Sequence, residues 1–434
     1  MKNTLPFERT IGLDEALHLA QKYLRNKNIT LQFEAYGEAP ESYICTLRKD
    51  GEEISTGGGK GINAMQSMVS AIFEAIEHSA LHYDFIKEQI KLVTSTALLK
   101  PEWYEDIPYS LLSDDAGDVM CTAYKRLGDH DEVYLPLALI NPSFIEAEEG
   151  YPKHRAFTKE QRQGDTFDYS SLMKYSTTNG ISAGTSANEC LIHSISEIIE
   201  RYTLGEFIIN FVAFNKHNNY TRIRPSSLPD DLKALYFSCS KELHGSKLHI
   251  VDITSKRWKV PTYLAFLDHP EPAFRTFSGG ASLHNKYALE RALTEMMQRR
   301  THPHSILNSA EEGRQAIMEA WYEKEYGDMN KDDVMKFFNI TDIRGDFFDI
   351  VERDYTDNCE SIGELNISQH LDQLTNKVTQ AKGEIYYTPL IDDDSIKVYS
   401  CFIHPFEPAF ILSSGRIVSL TRKNLTMIKE MSIG

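Results

Sequence analysis

The sequence predicts an α+β fold, in which several sheets are combined with long helices. Strand-like stretches such as LHIVDIT and KVPTYLAFLD alternate with segments whose apolar residues recur at helical spacing. Three of the helical segments are long, and each follows a glycine-rich stretch. The composition, with 41% hydrophobic and 25% charged residues, is typical of a folded globular protein. A chain of 434 residues can bury a large core, and its length allows roughly two or three domains.

The first elements are predicted along residues 12 to 54. GLDEALHLAQKYLR carries apolar residues at helical spacing, whereas LQFEAYGEAPESYICTLRKDGEEI alternates like two strands joined by a polar turn. We interpret residues 1–54 as an N-terminal α/β segment that is integral to the fold, with residues 55–434 as the main domain. Polar segments near 141 to 168 and 308 to 335 are predicted to be loops.

The chain is acidic, with a formal net charge of -17 at pH 7. Such a surface repels nucleic acid and anionic membranes, so we expect neither partner, and a polyanionic ligand would need a metal ion. The N-terminus lacks the apolar core of a signal peptide, and no stretch of about 18 apolar residues occurs, which predicts a cytoplasmic protein. Six cysteines stand singly along the chain and are interpreted as reduced thiols.

Three helical segments share one polar pattern. They are SAIFEAIEH (70 to 78), HSISEIIER (193 to 201) and RALTEMMQR (291 to 299). Each has an acid, two residues, a second carboxylate or amide, and then a basic residue. The aligned columns are Glu74, Glu197 and Glu295; Glu77, Glu200 and Gln298; and His78, Arg201 and Arg299.

Residues three and four positions apart share a helix face, so each segment carries a polar stripe. A solvated outer face is the ordinary explanation for one such stripe. Like charges at this spacing repel each other, however, and the flanking residues, such as Ile72 and Ile198, are apolar. The recurrence in three helices therefore favours a shared, partly buried acidic site.

If the three helices converge, four or five carboxylates meet, and they must be protonated or joined by a cation. Mg²⁺ is the natural partner, because it prefers carboxylate oxygens and bridges to phosphates. Arg201, Arg291 and Arg299 could then donate hydrogen bonds to those phosphates.

Glycine-rich turns are predicted before the helices. STGGGKG (55 to 61) and TTNGISAGTS (177 to 186) offer backbone N–H groups and hydroxyls to an anion, with Lys60 as a mobile cation. SGGAS precedes the third helix. STGGGKG is not a P-loop, because the GxxxxGK[ST] pattern is absent.

These motifs, in their order and separations, resemble the nucleotide-binding motifs of the YcaO family, from about residue 10 to about residue 410. The resemblance implies a YcaO-type fold whose sheets and long helices line an ATP/Mg²⁺ cleft, with residues 55–434 as the catalytic domain. It implies ATP and Mg²⁺ as cofactors. The metal-ligand candidates are Glu74, Glu77, Glu189, Glu197, Glu200 and Glu295. The nucleotide-contact candidates are Lys60, Ser70, Ser182, Arg201 and Arg291. The catalytic candidates are Glu197, Glu200 and Arg201.

Members of that family use ATP to activate a backbone amide of a peptide. The resemblance implies a cyclodehydratase that converts Cys, Ser or Thr residues of a ribosomally made precursor peptide to thiazolines or oxazolines. The alternatives are a thioamide- or amidine-forming relative and a nucleotide-binding accessory subunit. We expect an E1-like or leader-binding partner subunit, and a homodimer is left open.

Two features depart from the family pattern. His78 stands where the first motif usually has arginine, which either weakens one nucleotide contact or exchanges one donor for another. The chain ends in LTMIKEMSIG, without the PxPxP ending that supports the active site of many azoline-forming members. Thioamide and amidine formation therefore stay open beside ring formation.

Overall fold

The computed structural model describes a chain of mixed helices and strands. The described residues are 7–38, 40–105, 108–113, 116–129, 131–145, 156–213, 216, 219–242, 247–268, 276–301, 350–358, 365–406, 409–411 and 418–420. The helices are α1 (Leu13–Asn26), α2 (Ala64–Ser79), α3 (Tyr83–Ile86), α4 (Leu137–Ile140), α5 (Ala187–Ile208), α6 (Asp230–Glu242), α7 (Asn285–Thr301) and α8 (Ile367–Gln380). The strands are β1 (Ile29–Tyr36), β2 (Ser42–Lys49), β3 (Glu52–Gly59), β4 (Lys91–Thr94), β5 (Asp118–Arg126), β6 (Glu132–Pro136), β7 (Ile181–Gly184), β8 (Thr221–Ile223), β9 (Lys247–Asp252), β10 (Thr262–Asp268), β11 (Thr276–Ala281), β12 (Glu352–Arg353), β13 (Glu384–Asp392), β14 (Lys397–His404), β15 (Ala409–Ile411) and β16 (Val418–Leu420).

Residue contacts divide the chain into two compact units. The first unit comprises Met1–Ala35, Tyr43–Ile198 and Leu365–Phe406. The second unit comprises Tyr36–Ser42, Ile199–Glu364 and Glu407–Gly434. Helix α5 contributes residues to both units, because the division falls within it. The boundary predicted between residues 54 and 55 lies inside β3.

Each unit is built on its own sheets. In the first unit, β4-β5-β13-β14-β7 form an antiparallel sheet with β6 beside β5, and β1-β2-β3 form a smaller sheet. In the second unit the order is β11-β10-β9-β8-β12, where β12 pairs parallel with β8 and the other pairs are antiparallel. Strand β10 is buried along its whole length, as its unbroken apolar run predicts.

A strand followed by a long helix recurs at β3–α2, β7–α5 and β11–α7. In each pair, a buried serine of the strand donates its hydroxyl hydrogen to a backbone carbonyl of the helix. The bonds run from Ser55 to Ala75 (2.7 Å), from Ser182 to Cys190 (2.6 Å) and from Ser278 to Ala292 (2.7 Å). This shared bond fixes each helix against the strand that precedes it.

Glycines allow two of these strands to lie directly against their helices. A Cβ on Gly57 would lie 2.2 Å from the Ala75 nitrogen, and one on Gly280 would lie 2.1 Å from the Ala288 oxygen. The prediction of glycine-rich turns was therefore wrong for STGGG, ISAG and SGGA, which lie in β3, β7 and β11. It is confirmed for Asn179 and Gly180, which form a turn before β7. The glycines serve close backbone packing, and the turn before α2 is confined to residues 60–63.

The predicted helices and the α+β class are confirmed. Helices α1, α2, α5 and α7 occupy the four segments predicted as helical. The N-terminal segment forms three strands rather than two, because DGEEISTGGG continues into β3. The described part of residues 141–168 holds turns without strands or helices, as predicted. The loop predicted at 308 to 335 and the terminal LTMIKEMSIG lie outside the described residues.

The described cysteines are buried and free, as the sequence predicts; they are Cys45, Cys121, Cys190, Cys239 and Cys401. Burial raises the pKa of the Cys45 thiol to about 12, so this side chain stays a thiol at neutral pH. None of the helices in the described part of the chain combines the length and the apolar character needed to cross a membrane.

Candidate functional site

Two candidate carboxylates of the first unit are held by the segment that enters and forms β7. Glu77, on α2, accepts a hydrogen bond from the Ala183 N–H at 3.2 Å. Glu197, on α5, accepts one from the Gly180 N–H at 3.1 Å. Gly180 has a φ of 83°, and a Cβ there would lie 2.3 Å from the Cys401 carbonyl oxygen, so glycine is required. This short segment therefore brings acids from two helices together.

The electrostatics of Glu77 show that acids of the first unit interact. Burial raises the pKa of Glu77 well above its usual value, and the charges of Glu197 and Glu74 raise it further. The Ala183 N–H and the Lys60 ammonium lower this pKa without cancelling the increase. We call Glu74, Glu77 and Glu197 the carboxylate cluster. The burial of Glu77 and the effect of both neighbouring charges on it distinguish the cluster from a solvated helix face.

Glu189, near the start of α5, has a different environment. Its buried side chain accepts hydrogen bonds from the N–H and the hydroxyl of both Thr10 and Thr185. Although burial opposes ionisation, Arg9 and these hydrogen bonds lower the pKa of Glu189 below its usual value. Glu189 is thus an ionised carboxylate that fastens the N-terminal segment to α5. Its assignment as a metal ligand stays a prediction.

The second unit holds a buried ion pair between two further candidates. Nη2 of Arg291, on α7, lies 3.8 Å from Oε2 of Glu200, on α5, and both side chains are buried. A Cβ on Gly279, in β11, would lie 2.7 Å from Oε1 of Glu200, so glycine leaves room for this carboxylate. Breaking such a pair by removing one partner leaves an uncompensated buried charge, which is strongly destabilising.

The remaining candidates occupy either partly exposed or fully buried positions. Partly exposed are Lys60, Ser70, Arg201, Glu295 and Gln298. Ser182 is fully buried, and its hydroxyl donates to the Cys190 carbonyl and lies 2.8 Å from the Ser194 hydroxyl. This arrangement holds β7 against α5, and the assignment of Ser182 as a nucleotide contact stays a prediction. The side chain of Arg299 lies outside the described part of the chain.

When α2 and α7 are matched by their contacts with the preceding strand, the equivalent residues of α7 differ by one helical turn from those matched in the sequence alignment. The alanines that meet the strand glycines correspond as Ala71 with Ala288, and Ala75 with Ala292. By this correspondence Glu74 matches Arg291, and His78 matches Glu295. The sequence alignment instead matched Glu74 with Glu295, because it was based on the glutamates and could not include the contacts of the strand glycines.

The described residues place a limit on how a metal ion could be held. No three carboxylate, imidazole or thiol groups in this part of the chain lie close enough together to ligate one ion. The ligand set of four or five carboxylates inferred from the sequence therefore stays a prediction. Mg²⁺ commonly takes only one or two carboxylates, and water and phosphate oxygens complete its shell. The carboxylate cluster fits this smaller requirement through Glu77 and Glu197.

A family model described as YcaO cyclodehydratase, ATP- and Mg²⁺-binding, matches residues 58–403. The chain belongs to the YcaO family. The resemblance stated from the motifs is thereby confirmed, and the expected cofactors, ATP and Mg²⁺, agree with the description of the family. The matched range includes the carboxylate cluster and the Glu200–Arg291 pair, whereas Arg9 and Thr10 precede it.

Solved structures share the fold of this YcaO chain at low sequence identity. A YcaO from Methanopyrus kandleri bound with AMPPCP and Mg²⁺ is 17% identical, with a TM-score of 0.64 over 97% of this chain and 98% of that chain. A heterocyclase in complex with substrate and cofactor is 14% identical, with a TM-score of 0.60 over 94% of this chain and 54% of that chain. A chain of the E. coli microcin synthetase McbBCD complex with pro-MccB17 bound is 13% identical, with a TM-score of 0.52 over 86% of each chain. No curated protein matches the sequence.

Sequence reasoning missed several groups that hold the acids in place. The donors to Glu77 and Glu197 are backbone N–H groups of TTNGISAGTS, which was predicted to offer such groups to an anion, but the sequence did not indicate that these two carboxylates accept them. Arg9 and Thr10 lie in a short N-terminal stretch outside every recognised motif. The bond of the Thr185 N–H to Glu189 was accessible to inference, because a glutamate in the first turn of a helix commonly accepts from a backbone N–H just before the helix.

Proposed function

We propose that this YcaO protein uses ATP and Mg²⁺ to activate a backbone amide of a precursor peptide, and that it converts Cys, Ser or Thr residues to thiazolines or oxazolines. The carboxylate cluster carries the proposal, because burial and the neighbouring acids raise the pKa of Glu77. A divalent cation relieves this repulsion and lets an acidic cluster bind a polyphosphate. The YcaO relative bound with AMPPCP and Mg²⁺ supports the same cofactors.

In this proposal, Glu77 and Glu197 hold the cation, and Glu74 adds negative charge beside them. When bound, Mg²⁺ neutralises charge that develops on the transferring phosphoryl group. Arg201 and Arg291 donate hydrogen bonds to phosphate oxygens, because a guanidinium can donate two parallel bonds. The remaining assignments are Glu189, Glu200 and Glu295 as further metal-ligand candidates, Ser70 as a nucleotide contact, and Lys60 as a cation near the phosphates.

The reaction consumes one ATP for each ring. The Cys, Ser or Thr side chain forms a C–S or C–O bond to the preceding carbonyl carbon, and the carbonyl oxygen takes the γ-phosphoryl group. The bond from that carbon to the phosphorylated oxygen then breaks, a C=N bond forms in the ring, and the oxygen leaves in inorganic phosphate. Of the two hydrogens lost from the peptide, one leaves as a proton and one remains on hydrogen phosphate. Phosphorylation thus converts a poor leaving group into a good one.

The proposed partners are the precursor peptide and an E1-like or leader-binding subunit. Substrate-bound and multi-subunit relatives support this proposal, since one is a heterocyclase with substrate and another is the McbBCD complex with pro-MccB17 bound. The test mixture therefore contains the purified protein, ATP, Mg²⁺, the peptides encoded near it and each neighbouring candidate subunit.

Product mass separates the candidate reactions. Loss of one water per modified site, with release of ADP and phosphate, is the result expected for an azoline. Exchange of one oxygen for sulfur when sulfide is supplied would instead identify a thioamide, and condensation with an amine would identify an amidine. Peptides and ATP that both remain unchanged in every mixture would contradict amide activation itself.

The matched variants are Glu197→Ala, in the carboxylate cluster, and Glu102→Ala, at an exposed position. We expect Glu197→Ala to abolish product formation with the fold retained, because one repelling acid and one ligand are removed together. Glu102→Ala should react like the unchanged protein. Full turnover by the Glu197→Ala variant would refute the role of Glu197.

A further inference from the structure

A cavity of about 410 Å³ lies in the second unit, where the connection from β9 to β10 meets the start of α7. Its wall includes Asp252 at the end of β9, Tyr263 on β10 and Asn285, the first residue of α7. The volume falls within the roughly 300–1,000 Å³ of small-molecule pockets. Among the described residues, the wall contains no group assigned to ATP or Mg²⁺. The cavity is therefore a candidate site for a second ligand.

The connection from β9 to β10 is held in place by its own polar side chains. The Asp252 carboxylate accepts from the Thr254 N–H at 2.9 Å, and the Thr254 hydroxyl accepts from the Thr262 N–H at 3.1 Å. The Ser255 hydroxyl accepts from the Arg257 N–H at 3.1 Å. These bonds use the hydroxyl oxygens of Thr254 and Ser255 but not their hydrogens, so both hydroxyls can still donate. The wall is thus preorganised and carries donors for a ligand.

Tyr263 contributes a buried hydroxyl to this wall. The residue is only 2% exposed, and its hydroxyl forms no hydrogen bond with the described part of the chain. Tyr263 is directly opposite Asp252 in the pairing of β10 with β9. Burial raises the pKa of Tyr263, and the charge of Asp252 raises it further, so the hydroxyl keeps its hydrogen at neutral pH. Because buried polar groups normally form hydrogen bonds, this hydroxyl is available to a molecule in the cavity.

Two opposite charges line this cavity, and neither forms an ion pair with the described part of the chain. Nζ of Lys256 donates to the neutral side-chain oxygen of Asn219 at 3.2 Å, and an ammonium group can donate two further hydrogen bonds. Oδ1 of Asp252 accepts from the Thr254 N–H, which leaves Oδ2 as an acceptor. Lys259 adds a second ammonium group to the wall. A ligand that carries both an ammonium and a carboxylate can form a charge-assisted hydrogen bond with each charge.

We propose that this cavity, here called the zwitterion cavity, binds a small ligand that carries both an ammonium group and a carboxylate. The ammonium group donates to Asp252 and to the hydroxyl oxygen of Tyr263. The carboxylate accepts from Lys256 and from the hydroxyls of Thr254 and Ser255. A free amino acid and a short peptide both have this chemistry, and the test separates them. The inference goes beyond amide activation, because it uses no residue assigned to ATP or Mg²⁺.

The test uses two zwitterionic probes, L-alanine as a free amino acid and L-alanyl-L-alanine as a short peptide. Each is compared with its N-acetyl form, which lacks the ammonium group, and with its carboxamide, which lacks the carboxylate. Ligand-observed NMR with the full-length protein, without nucleotide, gives the dissociation constants. We expect one zwitterion to bind, and each of its blocked forms to bind at least about tenfold more weakly, because one charge-assisted hydrogen bond is lost. The zwitterion that binds more tightly identifies the source of the ligand.

Two variants test the charges of the wall. Asp252→Asn can still accept from the Thr254 N–H but loses its charge, so the zwitterion and its N-acetyl form should bind equally. Lys256→Met loses the ammonium group, so the zwitterion and its carboxamide should bind equally. Asp230→Asn and Lys247→Met, at exposed positions of the same unit, are the matched controls. Both controls should keep the two differences in affinity.

A third variant, Tyr263→Phe, separates ligand binding from structural support. The Tyr263 hydroxyl has no partner within the described part of the chain, so its removal should leave the melting temperature unchanged and weaken zwitterion binding about fivefold, the scale of one hydrogen bond. If neither zwitterion binds, or if the blocked forms bind as tightly, the zwitterion cavity is overturned and holds only water. Binding of AMPPCP with Mg²⁺ is measured separately, and its failure would overturn the proposed function without affecting this inference.

Discussion

Glu77 shares its partly buried surroundings with Glu197 and Glu74, which raise its pKa after the contribution of burial. The folded protein therefore keeps a proton on this group at pH values where the unfolded chain has lost it. The contribution of Glu77 to the stability of the fold is greatest below its ordinary pKa of 4.5, and it is lost as the pH rises towards the raised pKa of the folded state. The charge of Glu77 should thus destabilise the cation-free protein at neutral and alkaline pH.

The first prediction concerns the removal of that charge. We expect Glu77→Gln to stabilise the protein in EDTA at pH 8 by roughly 1 kcal/mol, and to have a smaller effect at pH 5. Scanning calorimetry at both pH values measures the change, with Glu102→Gln as an exposed control. A Glu77→Gln protein that melts below the unchanged protein at pH 8 would show that its charge is stabilised in some other way.

The second prediction concerns Glu189, whose buried charge depends on donors from Thr10 and Thr185. Thr10→Val keeps the shape of the side chain but removes one hydroxyl donor to the carboxylate. We expect a loss of roughly 1.5–3 kcal/mol in the free energy of unfolding, the range for hydrogen bonds to charged groups. Urea unfolding measures it against Thr30→Val, because the exposed hydroxyl of Thr30 donates to a backbone carbonyl and not to a charged group in the described part of the chain. Equal losses in the two variants would argue against this anchoring role.

At the scale of elements, the strand–helix pairs explain which parts of the site could be predicted. Helical periodicity identified α2, α5 and α7, because one face of each is apolar along several turns. The role of the glycines escaped prediction, because glycine occurs both in turns and where two backbones approach closely. The Glu200–Arg291 ion pair was not predicted either. The position of Arg291 depends on how α7 packs on β11, through contacts of Gly280 with Ala288 and Ala292 that the sequence pattern does not show.

The third prediction tests this packing at β3 and α2. A Cβ on Gly57 would meet backbone atoms of α2, which cannot move aside independently, so Gly57→Ala should destabilise the protein by at least about 3 kcal/mol. The matched control is Gly12→Ala, where a Cβ would meet nothing within 4 Å. Thermal unfolding of the two variants measures the difference. If both unfold at the temperature of the unchanged protein, the close contact of β3 with α2 is disproved.

At the scale of the whole molecule, the α+β class follows from the alternation of strand and helix patterns. The division into two units could not be predicted in this way, because α5 contributes residues to both units and each unit is formed by segments that are distant in the sequence. The family was recognisable from motif order, whereas the different surroundings of Glu77 and Glu189 were not, since both stand in similar acidic stripes. Sequence reasoning therefore named candidate residues, and the structure distinguishes the surroundings of each.

The net charge of -17 bears directly on the proposed chemistry. An acidic protein repels a polyphosphate at long range, so nucleotide binding should depend on a cation held by the carboxylate cluster. A ligand that binds only the folded state stabilises it by about 2.7 kcal/mol at a concentration of 100 Kd. Thermal stability therefore reports whether the cation and the nucleotide bind together.

The most direct measurement is the melting temperature with AMPPCP, with Mg²⁺ or with EDTA, for the unchanged protein and for a Glu77→Gln, Glu197→Gln double variant. The carboxylate cluster predicts a clear rise for the unchanged protein only when AMPPCP and Mg²⁺ are both present, and no such rise for the double variant. An equal rise in EDTA, or a full rise in the double variant, would contradict the assignment of these carboxylates to the metal–nucleotide site.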